Sequence, residues 1–212
     1  MTQGNRSGRA TRLTLLLAAE RLFAERGIEA VSSSEILDLA GQRNKNAIHY
    51  HFGGKDGLIT AIAEFRSTAL NDRRAELLAG VRAKGAERDL TELAATLVLP
   101  LAELLDVADC SFLGFLARYH LDRSRRQLVD SVDPSVTATY RDAYALLRGA
   151  TTLPARSFEI RFGIAMDTIF MALASRQTVE RATDVAPRTA RQTFVSHLIA
   201  CVAGCFATPI TD

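Results

Sequence analysis

The chain has 212 residues, 26 Lys and Arg against 24 Asp and Glu, and is 48% hydrophobic and 24% charged. That apolar fraction excludes a disordered chain, and a chain of this length buries roughly 70% of its unfolded surface, enough for a core without disulfides or structural metal. Its three cysteines, Cys110, Cys201 and Cys205, show no Cys-x-x-Cys spacing, which excludes a disulfide framework and a zinc ribbon and points to a reducing cytoplasm.

No run approaches the roughly 20 apolar residues that a membrane span requires, so no membrane partner is expected. The first nine residues lack the apolar core of a signal peptide. Residues 1–57 hold eight basic and six acidic groups, and the remainder balances, so the formal charge of +2 sits in the first quarter. Apolar residues recur at three- and four-residue intervals throughout, and no run alternates with period two, which predicts an all-α protein.

In chain order, the first helix is expected from Arg9 to Arg26, with Leu15, Leu16, Ala19, Leu22 and Phe23 on one face and Gly27 as its stop. Ser32 and Glu35 form the Ser-x-x-Glu capping box of a second helix ending at Ala40-Gly41. Its apolar Ile36, Leu37 and Ala40 share a face, and Ser33 and Ser34 lie off it. Asn44 is a cap for a third, short helix whose Ala47 and Ile48 face inward and which Gly53-Gly54 stops. A long fourth helix follows, from Lys55 to about Gly80. Further helices fit Leu90–Val107, Ser111–Tyr119, Arg123–Ser131 and Pro134–Gly149, and Pro154 and Pro187 open two long final helices to Glu180 and Phe206.

Residues 32–52 therefore read as a helix-turn-helix. Groove reading needs donors on short side chains: Asn bridges the N6 and N7 edge of adenine, Lys donates to guanine, and Tyr or His reaches phosphates. The candidate DNA-contacting set is Ser33, Ser34, Arg43, Asn44, Lys45, Asn46, His49, Tyr50, His51 and Lys55, with His49, Tyr50 and His51 assigned as a group. An arm bearing Arg6, Arg9 and Arg12 precedes it and is suited to the phosphate backbone. His49 and His51, two apart on a helix, point in different directions, so no metal or other cofactor is expected.

Three motifs carry a family resemblance. The stretch Leu15-Leu16-Leu17-Ala18-Ala19-Glu20-Arg21-Leu22-Phe23-Ala24-Glu25-Arg26-Gly27, the segment Ser32 to Gly41, and His49-Tyr50-His51-Phe52-Gly53-Gly54-Lys55-Asp56-Gly57-Leu58 resemble the N-terminal domain of TetR/AcrR-type transcriptional regulators. The resemblance implies a DNA-binding domain over residues 1–57 and a larger helical domain over 58–212. The latter would bind a small, largely apolar effector and form a homodimer through the last two helices. It further implies a repressor of a palindromic double-stranded operator.

Candidate ligand residues in the larger domain are Phe112, Phe115, Tyr119, Tyr144, Phe162, Met166 and Phe170, although an aromatic and Met stripe at helical spacing is commonly core. The last helices carry Phe162, Ala165, Ile169, Phe170 and Leu173, then Ala190, Phe194, Leu198, Val202 and Phe206, broad stripes that suit a dimer bundle. Cys201 and Cys205 share a helix face and read as small core hydrophobes. Arg123, Arg125 and Arg126 read as a solvated face. Two rivals are weighed. A helical enzyme lacks any Ser-His-Asp grouping, phosphate-binding glycine loop or carboxylate pair, and a non-specific architectural DNA binder would need positive charge spread beyond residue 57.

Overall fold

The computed structural model describes residues 3–121, 133–183 and 188–208, and every regular element among them is helical. The segment with Arg123, Arg125 and Arg126, the side chain of Arg6, and Pro187 lie outside the described residues. Helix α1 (Gln3–Arg26) begins well ahead of the expected Arg9, because no proline halts it and Gly4 and Gly8 cost only about 1 kcal/mol each. The basic arm is thus the opening of a helix, with Arg9 and Arg12 exposed on it.

Helices α2 (Ser33–Leu39), α3 (Ala47–Phe52) and α4 (Lys55–Ala83) follow in the expected order, α2 and α4 close to their expected bounds. Helix α5 (Leu90–Ala102) is capped by Asp89, whose carboxylate accepts the N–H groups of Thr91 at 2.8 Å and Glu92 at 3.2 Å. It ends sooner than the expected Val107, tightening into a 3₁₀ turn at Glu103–Asp106, and Pro100 within the helix leaves the Thr96 carbonyl to accept from Arg74 Nε at 3.1 Å instead. Helices α6 (Phe112–Leu121), α7 (Ala138–Ala150), α8 (Ala155–Thr183) and α9 (Arg188–Ala207) complete the described chain, with a 3₁₀ turn at Pro134–Thr137 ahead of α7.

By packing, the residues fall into two units, one up to Ser67 with the segment from Cys110, the other Thr68–Asp109 with the residues from Pro134 on. The division falls inside α4 rather than ahead of it, and α6 joins the first unit because it packs along α1. The first unit closes over Leu15, Leu16, Phe23, Ile36, Leu58, Ile62, Leu113 and Phe115, each at most 1% exposed. Within that core Glu20, also 1% exposed, accepts from Arg66 Nε at 2.7 Å and Nη2 at 2.9 Å, and from the backbone N–H of Ser111 at 2.9 Å. Burial alone would lower the Arg66 pKa, but the Glu20 carboxylate more than offsets this and the net shift is upward.

The second unit buries Leu78, Leu93, Leu97, Leu147, Phe158, Ile169, Leu173 and Val202. Helices α8 and α9 are joined by ions: Glu180 pairs with Arg176 at 2.6 Å on its own helix and with Arg191 of α9, which also meets Asp106. The stripes expected to face a partner are largely inside this unit. Phe162, Ala165, Ile169, Phe170, Leu173, Leu198, Val202 and Phe206 are all buried, while Phe194 is half-buried and Ala190 exposed. A different α8 stripe is open, with Ile160 56%, Ile164 53% and Met171 44% exposed, and α9 exposes Thr193, His197, Ala200 and Cys201. Cys201 is therefore exposed rather than core, Cys205 is half-buried, and Cys110 is buried.

Breaking a buried pair strands the surviving charge. Glu20→Ala is expected to destabilise the protein by roughly 3–5 kcal/mol in urea unfolding, and the double variant Glu20→Met/Arg66→Leu to recover most of that loss.

Candidate nucleic-acid interface

The second helix is held at its start by local hydrogen bonds. Ser32 Oγ accepts the Glu35 N–H at 3.3 Å, while Glu35 Oε2 accepts the Ser32 N–H at 2.8 Å and hydroxyl at 2.7 Å, the capping box that the sequence predicts. Arg26, the last residue of α1, reaches the same carboxylate at 2.6 Å and donates to the Ala30 carbonyl at 3.0 Å, tying the end of α1 to the start of α2. The backbone and hydroxyl donors of Ser32, with Arg26, hold the Glu35 pKa down at about 2.

Helix α3 starts later than the sequence suggests. Its N-cap position is Asn46, with no side-chain cap bond, and Asn44 instead braces the preceding turn, its Oδ1 accepting the Asn46 N–H at 3.0 Å and its carbonyl the Ala47 N–H at 3.1 Å. An Asx turn uses the same side-chain oxygen as an N-cap, one step earlier. Ala47 and Ile48 are buried as expected, which turns the other face outward.

On that face the predicted residues gather. Ser33, Ser34, Arg43, Asn44, Lys45, Asn46, His49 and Tyr50 are exposed, Tyr50 at 81%, and His51 is half-buried with its ring 4.9 Å from that of Tyr50. Among the described residues no hydrogen bond or ion pair involves the side chains of Arg43, Lys45 or His49. Arg12 was not singled out for its contact with α3: its guanidinium lies over the Phe52 ring, 4.9 Å from the centroid. Lys55 differs from the rest. It is half-buried, its Nζ donating to the Val31 carbonyl at 2.8 Å and lying 5.7 Å from the Phe23 ring centroid, so it braces the head from within.

The α3–α4 junction admits little variation. Gly53 (φ +73) and Gly54 (φ +132) lie where side chains are strained, and a Cβ at Gly57 would stand 1.8 Å from the Phe52 carbonyl oxygen.

The candidate effector residues divide between the two units. Phe112, Phe115 and Tyr119 are buried in the first, Phe115 lying 6.4 Å from Phe23 and 6.1 Å from Tyr119. Tyr144, Phe162, Met166 and Phe170 belong to the second, where Tyr144 meets the rings of Phe162 at 4.9 Å and Phe158 at 5.3 Å. A cavity of about 400 Å³ in the second unit is lined by none of these seven but by Leu77, Val81, Lys84, Thr91, Glu92, Ala95, Thr96, Leu99, Ser196 and Ile199.

A buried-faced α3 presenting free donors, set behind a capped α2 and braced by α1, has the arrangement of a helix-turn-helix. Residues 15–62 match the family model for bacterial regulatory proteins of the tetR family. Over 94% of this chain and 99% of the other, the fold matches a tetR family transcription regulator from Shewanella sp. PV-4 (TM-score 0.65, 18% identity). It also matches a gamma-butyrolactone receptor described as ArpA-like, over 93% of this chain and 98% of that one (TM-score 0.50, 21% identity). No curated protein matches the sequence significantly. Residues 15–62 thus match the N-terminal domain of the tetR family, and the chain as a whole shares the fold of a solved tetR family regulator. No described helix is long and apolar enough to cross a membrane.

Because the Glu35 pKa is depressed below its ordinary 4.5, its contribution to stability is complete above that value and is lost as pH falls toward 2. Glu35→Gln should lower the melting temperature at pH 7, and the gap from wild type should close as the pH is brought from about 4.5 to 2. Lys55→Met should also lower stability at pH 7, a loss that a purely phosphate-contacting lysine would not show.

Proposed function

We propose that the chain represses transcription by binding a palindromic operator as a homodimer in the cytoplasm, and that a small molecule releases it. Residues 1–57 form the DNA-binding part and residues 58–212 the effector-binding and dimerising part. The observation that carries the reading is the exposed set Arg43, Lys45, Asn46, His49 and Tyr50 around a helix anchored by Ala47 and Ile48. Donors that the fold itself leaves unused are available to base edges and phosphates. Ser33 and Ser34 at the start of α2, and Arg9 and Arg12 along α1, are assigned to the flanking backbone. Lys55 keeps a phosphate role only through the donors that Val31 does not use, since an ammonium carries three.

Dimerisation is assigned to the open face of α8, Ile160, Ile164 and Met171, with the exposed face of α9. Paired heads place two α3 helices in successive major grooves, with half-sites roughly 34 Å apart or a multiple of it. The effector acts by favouring a dimer geometry in which both heads cannot dock, a difference in affinity between two states.

Sequencing of DNA selected by the purified protein tests this. A palindromic enriched motif supports it, and uniform salt-sensitive binding without a motif favours the architectural rival. On the selected operator, Asn46→Ala should cost about 1–3 kcal/mol and relax one base position, while Arg9→Ala should weaken all sequences alike and reduce the salt slope by about 1. Ile164→Lys should yield a monomer by light scattering and abolish operator binding at concentrations where wild type is dimeric.

A further inference from the structure

Helix α9 has three faces, and one of them borders a cavity. Leu198, Val202 and Phe206 enter the core of the second unit, while Thr193, His197, Ala200 and Cys201 are exposed. Between these stripes Ser196 and Ile199 line the cavity of about 400 Å³, facing Leu77 and Val81 of α4 and Ala95 and Leu99 of α5. The polar groups of the wall are largely spent on one another. Thr96 donates its hydroxyl to the Leu93 carbonyl at 2.7 Å, and Lys84, in the turn after α4, holds both Glu92 oxygens at 3.1 Å. Left over are the hydroxyls of Thr91 and Ser196, both on exposed residues at the rim, which make no hydrogen bond among the described residues.

We propose that this cavity between α4, α5 and α9 is the effector site, and that the effector is a small uncharged molecule with an apolar body and one hydroxyl or carbonyl group. The inference rests on the effector-responsive reading and adds where the effector binds and to which class it belongs. Ligand pockets span roughly 300–1,000 Å³ and are mostly apolar with a few polar groups, so this one suits a small ligand. Charge selects against ions. An anion would have to displace Glu92 from Lys84, and a cation Lys84 from Glu92. A wall with no surplus charge returns nothing for the hydration that an ion gives up, whereas an alcohol loses far less and finds a partner in Ser196 or Thr91.

The position also links the ligand to the pairing of two copies. Helix α9 packs chiefly on α5, and the cavity is walled by both. The stripe of α9 beside Ser196 and Ile199 belongs to the face assigned to dimerisation, so one helix touches the ligand on one side and the partner on the next. A ligand that binds two seatings of α9 with different affinity thereby favours one dimer geometry.

The test uses the full chain with hexanol, hexanoate and hexylammonium, and with cinnamyl alcohol, cinnamate and cinnamylammonium, measured by thermal shift and titration calorimetry at pH 7. At least one alcohol should raise the melting temperature by about 2 °C or more at saturation and bind at least tenfold tighter than either of its ions. Ala95→Leu, which fills the cavity, should abolish that binding; should it fail to fold, Thr91→Trp at the exposed rim should do the same. Glu92→Gln frees Lys84 and should shift the preference toward the carboxylate by about threefold or more, and Lys84→Met should shift it toward the ammonium. No alcohol binding, equal binding of alcohol and ion, wild-type affinity in the filled variant, or unchanged selectivity in both charge variants would each overturn the proposal. The bound alcohol should also weaken operator binding by about fivefold or more. Release of operator DNA that is equal in wild type and Ala95→Leu would overturn the placement while leaving the effector-responsive reading intact. Failure of the wild type to select any operator would sink that reading by itself.

Discussion

Glu20 is the point on which the first unit turns. Its carboxylate receives two N–H bonds from Arg66 of α4 and one from the backbone of Ser111, immediately before α6, so a single buried anion joins three helices distant in sequence. Each partner answers a different need. Arg66 offsets the charge, and the amide at the α6 start is an orphan donor that an anion satisfies, with the helix dipole in its favour. Such a pair is costly to form and costlier to break, so its geometry admits little slack. The rest of the head is hung on α1 from there: Arg26 at its end grips the α2 cap, and Arg12 near its beginning covers Phe52 at the end of α3.

What could be read in the sequence follows from how local the interaction is. The Ser32–Glu35 box, the Gly53-Gly54 stop and the inward turn of Ala47 and Ile48 each depend on residues within a few positions, and all are found. Asn44 was assigned the wrong local duty, because a cap and an Asx turn are written with the same residue type. Lys55 could not be read, since its acceptor, the Val31 carbonyl, lies 24 residues earlier and carries no side-chain signature. The early start of α1 was equally hidden, since Asn5, Ser7 and the glycines around them are written like a helix boundary and the helix runs through them.

Periodicity also identifies apolar faces without ranking them. Helix α8 has two, and the more aromatic one, through Phe162, Ile169 and Leu173, was expected to meet a partner. It closes the unit's own core instead, because rings such as Phe158, Phe162 and Phe206 fill the interior as a stacked and tilted group. Ile160, Ile164 and Met171 are left to the outside. The packing of α6 along α1 was invisible for a related reason: the two helices lie far apart in the chain, and Phe112, Phe115 and Tyr119 are written like any other core aromatics.

The proposed reading residues and the scaffold beneath them are separable. Arg43, Lys45 and His49 hold nothing else in place, whereas Glu20, Ser32, Glu35, Gly57 and Lys55 each secure a joint. Substitutions at the first group carry no stability penalty of their own, since exposed side chains away from caps and cores shift stability by only about 0.5 kcal/mol. The proposed function thus implies that changes of operator can accumulate one residue at a time while the joints stay fixed, and variation among close relatives should separate the two groups without reference to any DNA.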